Sequence, residues 1–178
     1  HQFEGEPVGR EGQPIRWVTP AQLKAFPFPK ANYPIIARLA LGEFYAIIDE
    51  PLLSSQKILD QLLSLISRGV RLIRFRALLS GFSHEKKQIE AFIRLCRDHG
   101  VVLLLTGSPE LVRAYGASGI HLTSTQLMTL NSRPLESEFW VGASCHDMSE
   151  IQHTQGLGLD FAVLSPVKDT KTHPNTKP

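Results

Sequence analysis

The sequence predicts an α/β protein built on a parallel sheet, mainly because of how its apolar residues are distributed. Six short runs are rich in β-branched, aromatic or other apolar residues, at positions 44–48, 70–75, 101–105, 119–122, 139–141 and 161–164. The segments between these runs carry helical spacing or turn residues. Successive runs begin about 18 to 31 residues apart, which is the repeat expected of parallel strands joined by crossover connections.

Two helices are well defined by spacing. After the first strand, apolar residues recur at intervals of three and four, at Ile58, Leu59, Leu62, Leu63, Leu65 and Ile66. This pattern is typical of a helix with one broad buried face. Ser67-Arg68-Gly69 then supplies a helix stop. After the second strand the pattern returns at Ile89, Phe92, Ile93 and Cys96, and Asp98-His99-Gly100 ends it.

A parallel α/β fold of this kind is either a doubly wound sheet or a (β/α)8 TIM barrel. No Gly-x-Gly-x-x-Gly follows the first strand, so the main signature of a dinucleotide fold is missing. Polar residues instead recur at strand ends, at Asp49, Arg74, Arg76, Thr106, His121, Thr123, Ser144, His146 and Ser165. In a barrel these positions converge on one rim, where active sites lie. We therefore expect a barrel truncated after its sixth strand, as part of a longer protein.

Residues 1–41 differ from the remainder. The first 40 residues hold six of the twelve prolines and show little helical periodicity before residue 34. We therefore place a domain boundary at residue 41, with the barrel over residues 42–178. A barrel without its last two strands exposes two sheet edges, so we expect this chain on its own to be poorly soluble or to pair with itself.

Composition and charge exclude several kinds of partner. The net charge of +2 comes from 19 basic and 17 acidic residues without a basic stripe, so we expect no nucleic-acid polymer as a partner. The apolar runs are far too short to span a membrane. Cys96 and Cys145 have neither disulfide-framework nor zinc spacing, which favours a cytoplasmic protein. The composition leaves open whether the protein is a homo-oligomer.

Two groups of residues indicate an anion site. Residues 160–174 run from an apolar strand into a loop of Lys, Thr and His, and hydroxyls and cations at this place suit a bound phosphate. Arg74 and Arg76 share one face of the second strand, where their planar guanidinium groups would fit phosphate or carboxylate oxygens. The alternative for residues 160–174 is a polar surface loop. The alternative for the two arginines is a structural ion pair with Asp49 or another acid at a strand end.

The histidines and cysteines carry fewer implications. His121 lies within the fourth strand, which favours a core or rim residue with its hydrogen bonds satisfied. Cys145 and His146 are neighbours in an extended segment and so point apart, which disfavours a catalytic Cys-His pair. The histidines also lack the spacing of metal ligands, so no metal is assigned.

Five pieces of the chain resemble the thiamine-phosphate synthase and TenI superfamily, whose members are (β/α)8 barrels. They are Tyr45-Ala-Ile-Ile-Asp49, Arg71-Leu-Ile-Arg-Phe-Arg76, Gly119-Ile-His-Leu122, Val141-Gly-Ala-Ser-Cys-His146 and the run 160–172, in the family's order and spacing. The resemblance implies a small phosphorylated ligand, a thiazole phosphate or similar. The expected contacts are Arg74, Arg76, Ser144, Thr170, Thr172 and His173.

Synthase members of this superfamily join a pyrimidine diphosphate to a thiazole phosphate with the help of Mg²⁺. The resemblance assigns the metal to an Asn-Asp pair after the third strand and to an Asp in a Gly-Gln-x-Asp run after the fourth. Here Thr106-Gly107 and Thr123-Ser-Thr-Gln126 stand at those places, so both carboxylates are missing. The family's Gln-x-Arg-x-Lys run becomes Arg74-Phe-Arg-Ala-Leu78. These departures disfavour synthase activity.

TenI-like members instead move a proton on a carboxylated thiazole phosphate, without a metal. Their Ser-Val-His run corresponds to Ser144-Cys145-His146, so the resemblance makes His146 the expected catalytic residue, because imidazole can serve as a general acid or base. The alternative for His146 is a cap of the following helix or an exposed position. We expect a thiazole tautomerase that needs no cofactor, and a non-catalytic phosphate-binding or regulatory barrel stays open as the alternative.

Residues 3–39 resemble the carboxyl-terminal tail of a MutT-type Nudix hydrolase. The matching pieces are Phe3-Glu-Gly-Glu-Pro7, Gly9-Arg-Glu-Gly-Gln13, Trp17 and Phe28-Pro-Lys-Ala-Asn-Tyr-Pro34. The resemblance implies that Asn32 helps to recognise an oxidised guanine base. The Nudix box, whose glutamates bind Mg²⁺, is absent from this sequence. We therefore expect the intact protein to join an 8-oxo-dGTP diphosphatase domain, with Mg²⁺ in its catalytic region, to the barrel.

Overall fold

Six strands form one parallel sheet in which each strand pairs with the next one along the chain. The computed structural model describes residues 4–49, 55–76 and 86–166. The strands are β1 (Tyr45–Asp49), β2 (Leu72–Arg76), β3 (Val102–Leu105), β4 (Gly119–Leu122), β5 (Trp140–Cys145) and β6 (Phe161–Leu164). The sheet forms a half-barrel, so the predicted α/β fold with six parallel strands is confirmed.

Helices flank the strands throughout the described part of the chain. They are α1 (Tyr33–Leu41), α2 (Ser55–Ser67), α3 (Lys86–Asp98), α4 (Pro109–Tyr115), α5 (Ser124–Met128) and α6 (Met148–Gly156), with 3-10 helices at Pro20–Ala25 and Lys30–Asn32. Helices α2 and α3 confirm the two helices predicted from spacing. None of the helices in these ranges has the length and apolar character needed to cross a membrane.

The fifth strand is longer than predicted. We predicted a strand over residues 139–141, whereas β5 continues to Cys145. Gly142, Ala143 and Ser144 have little intrinsic preference for a strand. All three nevertheless pair with β6, and the first two also pair with β4. The neighbouring strands therefore impose the extended conformation, and Ser144 belongs to the strand rather than to the loop after it.

Side chains alternate between two faces of the sheet. The convex face is apolar and packs against the helices, through residues that include Ile48, Ile73, Phe75, Leu103, Leu105, Ile120 and Val141. The concave face is most apolar near the amino ends of the strands, where Leu72, Val102 and Trp140 lie. Toward the carboxyl ends the concave face becomes polar, and this is where the candidate site lies.

The segment before β1 covers the amino-terminal end of the concave face. Ile36 and Leu41 of α1 are buried in one cluster with Leu72 and Trp140, and Leu23 packs against it. Burying these side chains removes apolar surface from both the segment and the sheet. The boundary predicted at residue 41 coincides with the end of α1, and the division into two domains stays a prediction.

Asp160 links this segment to the sheet through ion pairs and a hydrogen bond. Its carboxylate lies 2.7 Å from Lys24 Nζ and 2.7 Å from a guanidinium nitrogen of Arg133, and it accepts a hydrogen bond from the Val141 N–H at 2.7 Å. Lys24 Nζ also lies 4.0 Å from the centroid of the Trp140 ring. Burial lowers the pKa of Lys24, and the negative charge of Asp160 opposes that shift. One carboxylate thus compensates two largely buried cations.

Removing the charge of Asp160 should be costly. In the full-length protein that contains this chain, we expect Asp160→Asn to lower the free energy of unfolding by about 3 kcal/mol, because it leaves Lys24 and Arg133 without their counter-ion. Urea unfolding followed by tryptophan fluorescence measures this. The control is Glu43→Gln, which breaks the exposed pair with Arg38 and should cost less than about 0.5 kcal/mol. Equal effects of the two substitutions would contradict the role of Asp160.

The edges of the half-barrel expose apolar side chains. Ile47 on β1 is 50% exposed, and Leu164 on β6 is 51% exposed. In the described part of the chain, each of these strands pairs on one side only. An unpaired strand edge is a template for association with another chain.

We therefore expect this chain, expressed on its own, to self-associate. Sedimentation velocity should show species larger than the 19.8 kDa monomer. Ile47→Glu should shift the distribution toward monomer, because it places a charge on the exposed edge. A stable, soluble monomer of the unchanged chain would contradict this expectation.

Candidate functional site

Polar side chains gather near the carboxyl ends of the strands, as the barrel prediction required. His146 directly follows β5, and Ser165 directly follows β6. Arg74, His121 and Ser144 lie inside strands. The carboxyl ends of parallel barrel strands are the usual place for a catalytic or binding site, so these side chains define the candidate site.

His146 is exposed at this rim, and one of its ring nitrogens makes a short hydrogen bond. Its Nδ1 lies 2.6 Å from the backbone carbonyl oxygen of Ser165. A carbonyl can only accept, so Nδ1 must carry the proton that is donated. In the neutral imidazole the lone pair is then on Nε2. The geometry therefore fixes which ring nitrogen acts as a base.

Glu150 fixes the turn that carries His146. One of its carboxylate oxygens accepts a hydrogen bond from the backbone N–H of His146 at 2.7 Å, and the other accepts one from the Ser124 hydroxyl. Asp147 caps α6 by accepting from the Glu150 N–H at 2.9 Å. Sequence reasoning missed Glu150. Its position three residues after an N-cap aspartate was the available signal, because that spacing is typical of helix starts. His146 is not itself the cap.

His121 links two polar groups inside the barrel. Its Nε2 lies 2.9 Å from Ser144 Oγ, and its Nδ1 lies 2.7 Å from Tyr45 Oη. Burial, and secondarily the charge of Arg74, lower the pKa of His121 to about 3, and burial raises the pKa of Tyr45. Both groups are therefore neutral near pH 7. The expectation of a buried, satisfied His121 is confirmed, and Ser144 is its partner as well as a predicted phosphate contact.

The two arginines of β2 differ in their partners. Arg76 forms an ion pair with Asp49, which is the alternative that the sequence left open for these residues. Arg74 is only 8% exposed, and its Nε donates a hydrogen bond to Thr106 Oγ1 at 3.0 Å. Thus one guanidinium is neutralised by a carboxylate, and the other is hydrogen-bonded to a neutral hydroxyl. Their predicted role as phosphate contacts stays a prediction.

Several predicted site residues lie elsewhere. Thr170, Thr172 and His173 fall outside the described residues. Asn32 precedes α1, which packs at the amino-terminal end of the sheet. The structure therefore places Asn32 at the opposite end from His146, and its predicted role in reading a base is separate from the rim.

The described residues of the rim include no clustered donor set suited to Mg²⁺, which prefers carboxylate oxygens. Thr106 follows β3 and Thr123 follows β4, and Gln126 uses its side chain to bond Thr123 and the Gly107 carbonyl. Within residues 4–49, 55–76 and 86–166, no three His, Cys, Asp or Glu residues are grouped as metal ligands. Thr106 and Thr123, at the two places where the family carries metal-binding carboxylates, do not suit the metal of the synthase reaction.

A cavity of about 750 Å³ lies at the other end of the sheet, beside the 3-10 helix Pro20–Ala25. Its lining includes Leu23, Phe26, Phe28, Arg133, Trp140 and Asp160. The lining charges of Lys24, Arg133 and Asp160 compensate one another. This cavity is therefore a gap beside the amino-terminal segment, far from the groups that could perform chemistry.

Comparison with known proteins gives a consistent result. The family model described as "Thiamine monophosphate synthase" matches residues 44–178. The chain is 28% identical to thiamine-phosphate synthase of Marinobacter nauticus, covering 75% of this chain and 61% of that protein. It is 25% identical to the putative thiamine-phosphate synthase 2 of Aquifex aeolicus, covering 79% and 75% respectively.

Other relatives are much longer than the matched region. The similarity to thiamine-phosphate synthase of Prochlorococcus marinus MIT 9313 has 26% identity and covers 36% of that protein. Among solved structures, thiamine phosphate pyrophosphorylase from Pyrococcus furiosus is similar with a TM-score of 0.56 and 14% identity, covering 71% of this chain and 61% of that one. This structural likeness shows the fold alone.

The buried His121 makes stability depend on pH. In the unfolded chain this histidine is protonated below about pH 6.5. In the folded protein it is protonated only below about pH 3. Stability from this group is therefore complete above pH 6.5 and falls as the pH drops. When the pH falls from about 7 to about 5, we expect the buried neutral His121 to lower the free energy of unfolding by about 2 kcal/mol.

Urea unfolding of the full-length protein at both pH values tests this expectation. His121→Gln should remove most of the pH dependence, whereas His99→Gln, at an exposed histidine, should keep it. Identical pH dependence in the wild-type protein and in His121→Gln would show that His121 is not buried in its neutral form.

Proposed function

Because the chain belongs to the thiamine monophosphate synthase family over residues 44–178, we propose that the protein containing it moves a proton on a carboxylated thiazole phosphate. His146 is the proposed proton carrier, and the step needs no metal. The observation that carries this proposal is the hydrogen bond between His146 Nδ1 and the Ser165 carbonyl. It places an exposed imidazole, with the proton on Nδ1, at the rim of the barrel.

The proposed step balances without a co-reactant. Nε2 of His146 takes a proton from one ring position of the thiazole, and a proton returns to another, so the ring is isomerised with no net change in protons. Imidazole suits this work because it exchanges protons near neutral pH. The contact of Glu150 with the His146 N–H holds the turn in place while the ring changes charge.

Phosphate binding completes the proposal. Ser144, Arg76 and the predicted contacts Thr170, Thr172 and His173 are the candidate ligands for the substrate phosphate. Ser144 is supported by its position on the concave face, two residues before His146. Its hydroxyl is oriented by His121, and a fixed hydroxyl loses less conformational entropy on binding than a rotating one.

Thiamine-phosphate synthase is the second candidate. It is favoured by the names of the curated relatives in Marinobacter and Prochlorococcus. It is disfavoured by the threonines at the ends of β3 and β4, because a diphosphate leaving group needs its charge neutralised by a metal or by cations. The joining of the barrel to a MutT-like hydrolase, with Asn32 reading a base, stays a separate prediction on residues 3–39.

His146→Ala should abolish most of the proposed activity. With the full-length protein and the carboxylated thiazole phosphate tautomer, followed by ultraviolet absorbance, we expect kcat to fall at least about 100-fold. The KM should change little, because the phosphate contacts remain. Turnover by the wild-type protein should persist in EDTA.

His99→Ala, which removes an exposed histidine beyond the end of α3, is the control and should keep full activity. Absence of turnover in the wild-type protein would leave a phosphate-binding barrel without this reaction. Formation of thiamine phosphate only with added Mg²⁺ would favour the synthase instead.

A further inference from the structure

Arg74 is a buried cation that forms no ion pair with any described residue. Its side chain is among the few charged ones that the sheet buries, at 8% exposure. Among the described residues its only hydrogen bond is the one to Thr106, and it forms no ion pair. Asp49, the acid at the end of the neighbouring strand, is engaged by Arg76. Burial nevertheless lowers the pKa of Arg74 more than the charge of Asp49 raises it, and a partly compensated charge in such a place is costly.

The terminal nitrogens of Arg74 make no hydrogen bond within the described part of the chain. No buried side-chain nitrogen or oxygen in the described ranges lacks a hydrogen-bond partner. The two terminal guanidinium nitrogens of Arg74 bond no other described residue, so neither nitrogen is fully enclosed by the described part of the chain. The Nε bond to Thr106 holds the plane of the group. Two parallel N–H donors are therefore presented together on the concave face.

The surroundings of Arg74 fit a ligand with one negative charge. On the sheet Arg74 lies between Ile47 of β1 and Leu104 of β3. Its electrostatic neighbours are Tyr45 and His121, which are both neutral at pH 7, and the charges of Arg76 and Asp49, which pair with each other. Arg74 supplies a single positive charge and a planar pair of donors, which matches a carboxylate better than a doubly charged phosphate.

We propose that Arg74 and Thr106 form a metal-free site for the carboxylate of an aromatic-ring substrate. This inference rests on the proposed function, in which the thiazole carries such a carboxylate. Arg74 would fork onto both carboxylate oxygens, and Thr106 would keep the guanidinium in its orientation. The site then selects the carboxylated ring over its uncharged analogue, while the phosphate is held elsewhere on the rim.

Calorimetric titrations of the full-length protein in EDTA test the site directly. The probes are thiazole-2-carboxylate, the uncharged thiazole-2-carboxamide and inorganic phosphate. We expect the wild-type protein to prefer the carboxylate over the carboxamide by about 10- to 100-fold, and Arg74→Gln to lose that preference. Arg113→Gln, which removes an exposed arginine paired with Glu136, is the matched control and should keep it.

Three results would overturn the assignment. They are a wild-type protein that does not distinguish carboxylate from carboxamide, a folded Arg74→Gln that still distinguishes them, and a loss confined to phosphate binding. If Arg74→Gln does not fold, Thr106→Val tests the proposal instead. This substitution keeps the charge of Arg74 and removes only the hydrogen bond that orients it. It should lower the preference several-fold, and an unchanged preference would overturn the proposal.

Binding and turnover separate this inference from the proposed function. A carboxylate preference that depends on Arg74, in a protein that does not isomerise the thiazole, would support the site and overturn the tautomerase. Turnover that requires His146, together with a carboxylate preference unaffected by Arg74→Gln, would support the tautomerase and overturn the carboxylate site.

Discussion

The concave face of this sheet must be filled at one end and open at the other, and most of the structure follows from that constraint. At the amino ends, the segment before β1 places Ile36 and Leu41 against Leu72 and Trp140, and this packing buries apolar surface at the base of the half-barrel. At the carboxyl ends, polar side chains replace apolar ones. The same strands thus carry apolar side chains at their amino ends and polar side chains at their carboxyl ends. A barrel that holds a small ligand needs this arrangement.

Sequence patterns identified the sheet better than its boundaries. β4 and β6 were predicted with the observed ends, because apolar runs and turn residues bound them. β5 was predicted too short, since Gly142 to Ser144 are extended only through pairing with their neighbours. The packing of residues 20–41 on the sheet could not be predicted, because a proline-rich stretch has no periodicity that points to a partner. Its contacts are decided by shape in three dimensions.

The candidate site shows a similar division. Strand-end positions identified His146 and the two arginines, because the carboxyl ends of parallel strands converge. Alternation placed Arg74 and Arg76 on one face, yet it could not tell that Asp49 would neutralise only the second of them. Which nitrogen of His146 carries the lone pair also depends on a backbone carbonyl from the next strand. Contacts between distant parts of the chain thus determine the chemistry of residues that the sequence singles out.

The carboxylate of Asp160 has a consequence for how this protein can change over time. It compensates Lys24 and Arg133 together and also accepts from the Val141 N–H. Substituting any one of these three charged residues leaves the others in an unfavourable state, so the effects of such substitutions are not additive. A lineage can replace this trio by apolar residues only through intermediates that are less stable than either end point. Lys24, Arg133 and Asp160 should therefore be inherited as a unit, although 136 positions separate the first from the last.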